Sequence, residues 1–180
     1  MQFIKKLVGD RIYLSPRGTS DEEVEKFTDW MNDFQTTDFI GRSGQAITFI
    51  GEKEWLENSV KNVQDRSFSI IELNHNKLIG TISLENFNWI DRSAVLGIFI
   101  GDSEFRGNGY GTEAIKLLLE YGFKYLNLHS IRLDLLAINE RAHKCYLKCG
   151  FKDTGCSREA IYVSGKYYDK IYKSNKKMLY

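Results

Sequence analysis

The stretch Phe105-Arg106-Gly107-Asn108-Gly109-Tyr110-Gly111-Thr112 places three glycines at alternate positions, after an apolar run and before a long helical pattern. Glycine tolerates positive φ and allows a ligand to approach the backbone closely. The first N–H groups of a helix have no intrahelical partner and lie at the positive end of the helix dipole, so such a turn suits a phosphate group. The stretch therefore predicts a site for a phosphorylated ligand, with Arg106 adding positive charge.

Three kinds of phosphate loop can be compared with this turn. The dinucleotide fingerprint G-x-G-x-x-G fails because Gly111 falls one position early and Thr112 takes the place of the third glycine. The Walker loop fails because the turn has no G-K-[ST]. The turn resembles instead the R/Q-x-x-G-x-G/A pyrophosphate loop of acetyl-CoA enzymes, which Arg106, Gly109 and Gly111 match.

Composition narrows the class of protein. The chain has 180 residues, 42% of them hydrophobic and 27% charged, which is typical of a globular domain. A net charge of +1 argues against nucleic acid as a partner. The sequence has no apolar run long enough for a membrane span and no signal-peptide pattern. The three cysteines do not form a disulfide framework. We therefore expect a cytoplasmic protein with no membrane partner.

The order of elements predicts an α/β (α+β) fold around one mixed sheet. Ser20 and Glu23 form a capping-box pattern at the start of a first helix, and Asn139 and Gly150 are the expected cap and stop of a later one. Residues 32–49 look like a loop. Strands are predicted at residues 11–15, 67–73, 78–85, 94–100 and 131–137, with two more in 154–172, and helices from residue 21 and over 52–62, 109–126 and 140–149.

Residues downstream of the glycine turn extend the resemblance. Asn139, Tyr146 and the pair Gly150-Phe151 follow the turn by one helix and one strand. Together with the apolar run at 94–101, this pattern resembles the GNAT superfamily of N-acetyltransferases, in particular the Rim-type ribosomal-protein alanine acetyltransferases and their polyamine, antibiotic and amino-sugar relatives. The resemblance implies one acetyl-CoA-dependent domain over residues 1–180. It also implies a mostly antiparallel sheet with a splayed strand pair and flanking helices.

The resemblance also assigns residues to acetyl-CoA as co-substrate. The pantetheine arm is expected to bind the backbone of Ile98, Phe99 and Ile100 and the side chain of Asn139. Tyr146 is expected near the sulfur. The pyrophosphate is expected to bind the turn formed by Arg106, Gly107, Asn108, Gly109, Tyr110, Gly111 and Thr112. In such enzymes an amine attacks the thioester directly. A phenol held near the leaving thiolate can protonate it, which is the expected role of Tyr146.

The general base is not determined by the sequence. Many relatives have a glutamate on the strand before the turn, but the matching position here is Val95. Glu85 and Glu159 are candidates, and proton loss through ordered water is an alternative. Because of the missing glutamate, a binding module that holds acetyl-CoA without turnover also remains open.

The expected partner is a primary amine, either on a small molecule or at a protein N-terminus. A peptide α-amine, a polyamine, an aminoglycoside and an amino sugar all remain open, and a homodimer is possible. The acceptor pocket is expected from residues 33–52, the turn near Trp89 and the C-terminal strands. Cys145 and Cys149 lie one helical turn apart, but structural zinc needs four ligands and the sequence supplies no second pair, so we expect no metal.

Overall fold

The computed structural model of the chain describes residues 3–177. Its strands are β1 (Leu7–Val8), β2 (Ile12–Pro16), β3 (Arg66–Glu72), β4 (Lys77–Asn88), β5 (Ser93–Ile100), β6 (Ser130–Leu136), β7 (Lys152–Val163) and β8 (Lys166–Lys176). They form one eight-stranded sheet in the order β1-β2-β3-β4-β5-β6-β8-β7. Neighbouring strands are antiparallel except β5 and β6, which are parallel. The predicted mixed, mostly antiparallel sheet is confirmed.

Helices cover both faces of this sheet. They are α1 (Asp21–Asn32), α2 (Phe34–Thr37), α3 (Phe49–Lys61), α4 (Tyr110–Glu120) and α5 (Glu140–Lys148). Helices α4 and α5 pack over the larger core, and α1 and α3 pack over a smaller one on the opposite face. Along β2, Ile12 and Leu14 belong to the first core and Tyr13 to the second, as the alternation of side chains in a strand requires.

Local sequence signals explain where most helices begin. The Ser20 side chain accepts a hydrogen bond from the Glu23 N–H, and Glu23 reaches back to the Ser20 N–H, so the predicted capping box is present. Asn139 caps α5 by accepting from the Ala142 N–H at 3.0 Å. Helix α3 begins at Phe49 rather than at the predicted residue 52, because Thr48 caps it through the Gly51 N–H.

The predicted loop at residues 32–49 was wrong in part. It contains α2 and a 3-10 turn at Asp38–Ile40. Asp33 caps α2, since its carboxylate accepts hydrogen bonds from the Gln35 N–H at 2.9 Å and the Thr36 hydroxyl at 2.8 Å. A four-residue helix is too short to show a hydrophobic period, which is why the pattern of apolar residues did not reveal it.

The helix predicted at residues 109–126 is confirmed but changes its hydrogen bonding near its end. After α4 the chain continues as a π-helical turn, Tyr121–Tyr125. Gly122 lies in this turn against β6, where a Cβ atom would stand 2.8 Å from Ile131 Cδ1. The turn therefore brings the end of the helix close enough to the sheet that only glycine fits.

Candidate active site

Strands β5 and β6 separate soon after they meet. They pair only between Ser93–Val95 and Ser130–Arg132, whereas β5 pairs with β4 along almost its whole length. The β6-facing edge of β5 is therefore left without a strand partner from Leu96 to Ile100. This is the predicted splayed pair, and it exposes the backbone of Ile98, Phe99 and Ile100 to a gap that an extended ligand can enter as an added strand.

The two sides of β5 face different environments. Ile98 and Ile100 pack against the core under α4, and Phe99 packs on the opposite face with Phe27 and Trp30. The ring centroids of Phe99 and Trp30 are 5.9 Å apart, and a Cβ on Gly101 would overlap the Trp30 ring at 2.0 Å. The end of β5 is thus held between α4 and α1.

The glycine turn presents free N–H groups to the end of the gap. Gly107 and Gly109 have φ of +78° and +87°, the left-handed region that favours glycine. Gly109 occupies the N-cap of α4 without a capping side chain. Within the described residues, no hydrogen bond uses the N–H groups of residues 107–112, and the first helical bond runs from the Glu113 N–H to the Gly109 carbonyl. The turn is therefore a cradle for an anion.

The Arg106 side chain is engaged by oxygens of neighbouring elements, and its contact with the cofactor stays a prediction. Its N–H donates to the Ser103 carbonyl at 3.2 Å, and its guanidinium donates to the Ile100 carbonyl at 2.9 Å and to the Thr36 hydroxyl at 2.6 Å. Burial is the main cause that lowers the pKa of Arg106. The free N–H groups begin at Gly107, and Arg106 joins the end of β5 to α2.

A second arginine lies beside the turn, where a carboxylate pairs with it. Arg11 lies 4.6 Å above the centre of the Tyr110 ring and donates to the Asn108 carbonyl at 3.0 Å. Its Nε also pairs with Glu113 at 3.1 Å. The sequence offered no signal for this residue, because it lies outside the glycine motif, 97 positions before Asn108.

Helices α4 and α5 enclose the gap from one face. Thr112 joins them, with its hydroxyl 3.2 Å from Cys145 Sγ. A side chain at Gly111 would not clash with the protein, since a Cβ there would stand at van der Waals distance, 3.8 Å, from Ile100 Cγ1. The fold itself thus leaves space at Gly111, as a bound ligand at this position would require.

Tyr146 lies on α5 with 7% of its surface exposed, packed against Phe151. Burial raises the pKa of its phenol above the usual value, so the hydroxyl stays protonated and can donate. Among the described residues the Tyr146 hydroxyl has no hydrogen-bond partner. It still contacts solvent, because Arg17 Nε is the only side-chain polar atom of those residues that is both fully buried and without a partner. A ligand atom could therefore reach the hydroxyl.

Residues 33–41 cover the gap from the other face. Asn139 Nδ2 donates to the Phe39 carbonyl at 3.1 Å, and the Ser164 hydroxyl donates to Asp38 at 3.2 Å. Asn139 is thus a helix cap whose amide also faces this segment. Its contact with a pantetheine arm stays a prediction.

A cavity of about 520 Å³ lies beyond Phe99, on the face of the sheet covered by α1 and α3. Its walls combine aromatic, apolar and polar side chains from α1, α3, β4, β5 and the segment leading into α3. The lining residues are Phe27, Met31, Arg42, Gln45, Ala46, Ile47, Thr48, Gly51, Glu52, Trp55, Thr81 and Phe99. We call this the acceptor cavity.

Glu52 is the carboxylate of the acceptor cavity. Only 6% of the residue is exposed, and its side chain has no hydrogen-bond partner among the described residues. Burial raises the pKa of this carboxyl, while the charges of Arg17 and Arg42 oppose the rise. Glu52 was expected only as the boundary of the acceptor region. Its place in the first turn of α3, one turn before the buried Leu56, was nevertheless a signal for an inward-facing carboxylate.

The two carboxylates proposed from the sequence lie elsewhere. Glu85 lies on β4, partly buried, and accepts a hydrogen bond from the Ser83 hydroxyl at 2.5 Å. Glu159 is exposed on a bulged part of β7, with its N–H bonded to Asp169 at 2.9 Å. Neither lines the acceptor cavity. Their roles as general bases stay predictions, and Glu52 is a third candidate for the general base.

Comparison with known proteins agrees with this geometry. A family model described as "Acetyltransferase (GNAT) domain" matches residues 11–152. The chain belongs to the GNAT acetyltransferase family. The spermidine N(1)-acetyltransferase of Vibrio cholerae is 33% identical over 117 residues, which cover 65% of this chain and 66% of that enzyme, just under two thirds of its length.

Solved structures of GNAT proteins match along nearly the whole chain. The Vibrio cholerae spermidine N-acetyltransferase in complex with CoA and spermine superimposes with a TM-score of 0.82 at 25% identity, over 93% of this chain and 96% of that one. A ribosomal-protein-S5-alanine acetyltransferase from Vibrio fischeri gives a TM-score of 0.79 at 25% identity, over 94% of both chains.

The predicted GNAT membership and fold are confirmed by these findings, and acetyl-CoA as the co-substrate agrees with the CoA complexes among the structural neighbours. When bound, acetyl-CoA supplies an activated acetyl group and a thiolate leaving group. In the described part of the chain, no helix is both long and apolar enough to span a membrane. No cluster of three or more metal-ligating side chains occurs there either.

Proposed function

We propose that this GNAT enzyme transfers the acetyl group of acetyl-CoA to a primary amine of a small polycationic acceptor of the polyamine class, bound in the acceptor cavity. The observation that carries the proposal is Glu52, a buried carboxylate without a hydrogen-bond partner in the described structure. Its oxygens are not fully enclosed, but burial still disfavours the charged form, and a cation bound beside the carboxylate would offset that cost. An alkylammonium ion is such a cation.

The rest of the acceptor cavity suits the same ligand. Phe99 presents an aromatic ring, whose face attracts cations. Phe27 and Trp55, whose rings lie near Arg17, and Met31 add apolar surface for a methylene chain. Arg42, which also lines the cavity, is exposed. An amine with an aliphatic chain therefore finds both apolar contact and one negative charge.

The chemistry assigns one proton transfer to each end of the reaction. A protonated alkylamine, with a pKa near ~10.4, pairs with Glu52 and gives up a proton to that carboxylate. The free nitrogen forms the C–N bond as the C–S bond breaks. The Tyr146 phenol donates its proton to the departing sulfur, and the acylated nitrogen loses its second proton, which returns through solvent to the Tyr146 phenolate. Glu52 releases the proton that it received to solvent, so the products are the amide, the CoA thiol and one proton. Because Glu52 must start ionised, we expect kcat/KM to fall as the pH drops through its raised pKa.

The relatives point to two amine classes. One is named for spermidine, and a structural neighbour holds spermine with CoA. Another neighbour is named for the alanine terminus of a ribosomal protein. The single carboxylate that lines the cavity favours the small cation over a peptide terminus.

An acceptor panel with coupled detection of CoA release tests this function. We expect turnover with spermidine and spermine and little with an alanine-terminated peptide. Glu52→Gln should lower kcat/KM for spermidine by about 100-fold, the scale of general-base catalysis. Glu54→Gln, on the exposed side of the same helix, is the matched control and should change nothing. Turnover restricted to the peptide would contradict the polyamine proposal, and acetyl-CoA binding without turnover would favour the binding module.

Other features of the molecule stay predictions. They are the cytoplasmic location, the homodimer and the assignment of residues 1–180 to one catalytic domain.

A further inference from the structure

Arg17 is a buried cation directly behind the acceptor cavity. It follows β2, and only 7% of its surface is exposed. Its guanidinium donates to the Ser59 hydroxyl at 3.2 Å and to the Thr81 hydroxyl. It also lies 5.4 Å from the centre of the Trp55 ring and 5.9 Å from that of Phe27. Because Thr81, Trp55 and Phe27 all line the cavity, Arg17 supports its wall.

This guanidinium lacks the partner that a buried charge normally has. Among the described residues no ion pair joins Arg17 to a carboxylate, and its Nε is enclosed without a hydrogen-bond partner. A buried charge with neutral partners only is destabilising. The compensation for this charge therefore comes from carboxylates that lie farther away.

Three carboxylates surround Arg17 beyond ion-pair distance. Glu85, Glu52 and Glu23 each raise its pKa, against the lowering caused by burial. Glu23 is already engaged in the capping box and by the Ser69 hydroxyl at 3.2 Å, and Glu85 is engaged by Ser83. Glu52 has no such partner, so its ionisation depends most on the buried cation.

We infer that Arg17 is a positioning residue for acetyl transfer: its fixed positive charge keeps Glu52 ionised inside the acceptor cavity. The inference rests on the proposed role of Glu52. Arg17 is not among the residues that line the cavity, whereas Thr81 and Trp55, which it contacts, are. Its position on the opposite side of the wall lets it favour the carboxylate without competing with the ammonium ion for contact.

The charged groups around Glu52 come from several elements. Arg17 lies behind it after β2 and Arg42 in front of it before α3, and both lower its pKa. Glu23 on α1 and Glu85 on β4 face the same guanidinium. Arg42 is exposed and therefore screened by solvent. Removal of Arg17 should thus move the Glu52 pKa upward, by about one unit for a nearby but non-contacting charge.

The test measures this titration in two independent ways. One is the pH profile of kcat/KM for spermidine, and the other is the ¹³C chemical shift of the Glu52 carboxyl, assigned by its loss in Glu52→Gln. Arg17→Met should move both midpoints upward by about one unit, which is a tenfold loss of kcat/KM on the acidic side, recovered as the pH rises. Arg17→Lys should keep the wild-type midpoints. Arg66→Met, which removes an arginine stacked on Phe87 outside the cavity, is the matched control.

The outcomes separate the two proposals. Unchanged midpoints in Arg17→Met, with acetyl-CoA affinity retained as evidence of folding, would overturn the role of Arg17. A shifted ¹³C midpoint together with full activity of Glu52→Gln would support the effect of Arg17 on Glu52 while contradicting the function proposed for Glu52. If Arg17→Met does not fold, Arg17→Gln provides the same removal of charge with hydrogen-bonding capacity retained.

Discussion

Gly109→Ala tests whether the glycine turn holds the pyrophosphate of CoA. Gly109 has φ of +87°, and an added Cβ would stand 3.1 Å from Arg11 Nη2. An L-residue in the left-handed region costs about 1–2 kcal/mol, which is about 2–8 °C in Tm for a chain of this size. If the backbone relaxes to relieve that strain, the N–H groups of the turn no longer point toward the pyrophosphate.

The expected loss of affinity follows from the hydrogen bonds involved. One hydrogen bond to a charged group contributes about 1.5–3 kcal/mol, so losing one weakens CoA binding by about 10- to 100-fold. Isothermal titration calorimetry with CoA measures this loss directly, in the wild type and in the variant.

Gly165→Ala is the matched control. Gly165 has φ of +86° in the β7–β8 turn, and a Cβ there would meet no atom within 4 Å. The two variants should therefore lose similar stability, and only Gly109→Ala should lose affinity for CoA. Equal CoA affinity in the two variants would refute the assignment of the cradle.

Three further variants separate catalysis from packing. Tyr146→Phe should lower kcat by at least about tenfold and leave the KM for acetyl-CoA nearly unchanged, and an unaltered kcat would show that Tyr146 only packs against Phe151. Ser20→Ala removes the capping box of α1 and should lower Tm by about 2–4 °C, for a loss of about 1 kcal/mol, with normal kinetics; a large change in KM for the amine would contradict that separation. Gly122→Ala places a Cβ 2.8 Å from Ile131 Cδ1 and should destabilise by about 1–3 kcal/mol in chemical denaturation, whereas wild-type stability would show that the π-helical turn can move.

Features with a local cause could be predicted from the sequence. The capping box at Ser20, the left-handed glycines of the turn and the cap at Asn139 each depend on residues within four positions of one another. Short apolar segments bounded by turn residues likewise identified every strand except the two-residue β1. The splay of β5 and β6 came only from the family resemblance, because no property of either strand alone requires it.

Features that depend on distant residues could not be predicted. Arg11 reaches the turn from the other end of the chain, and Arg106 turns inward because the 33–41 segment and the end of β5 offer it carbonyl and hydroxyl groups. Glu52 and Arg17 come together only when α3 packs over the sheet. Each is an ordinary charged residue in its own stretch of sequence, and its role arises from burial.

The most direct test of the account is steady-state release of CoA from acetyl-CoA with spermidine, compared between the wild type, Glu52→Gln and Glu54→Gln. We predict that the wild type turns over and that its kcat/KM for spermidine falls toward acidic pH. Glu52→Gln should lower kcat/KM by about 100-fold, and Glu54→Gln should leave it unchanged. Equal turnover by the wild type and Glu52→Gln would contradict the assignment of Glu52 as the group that receives the amine.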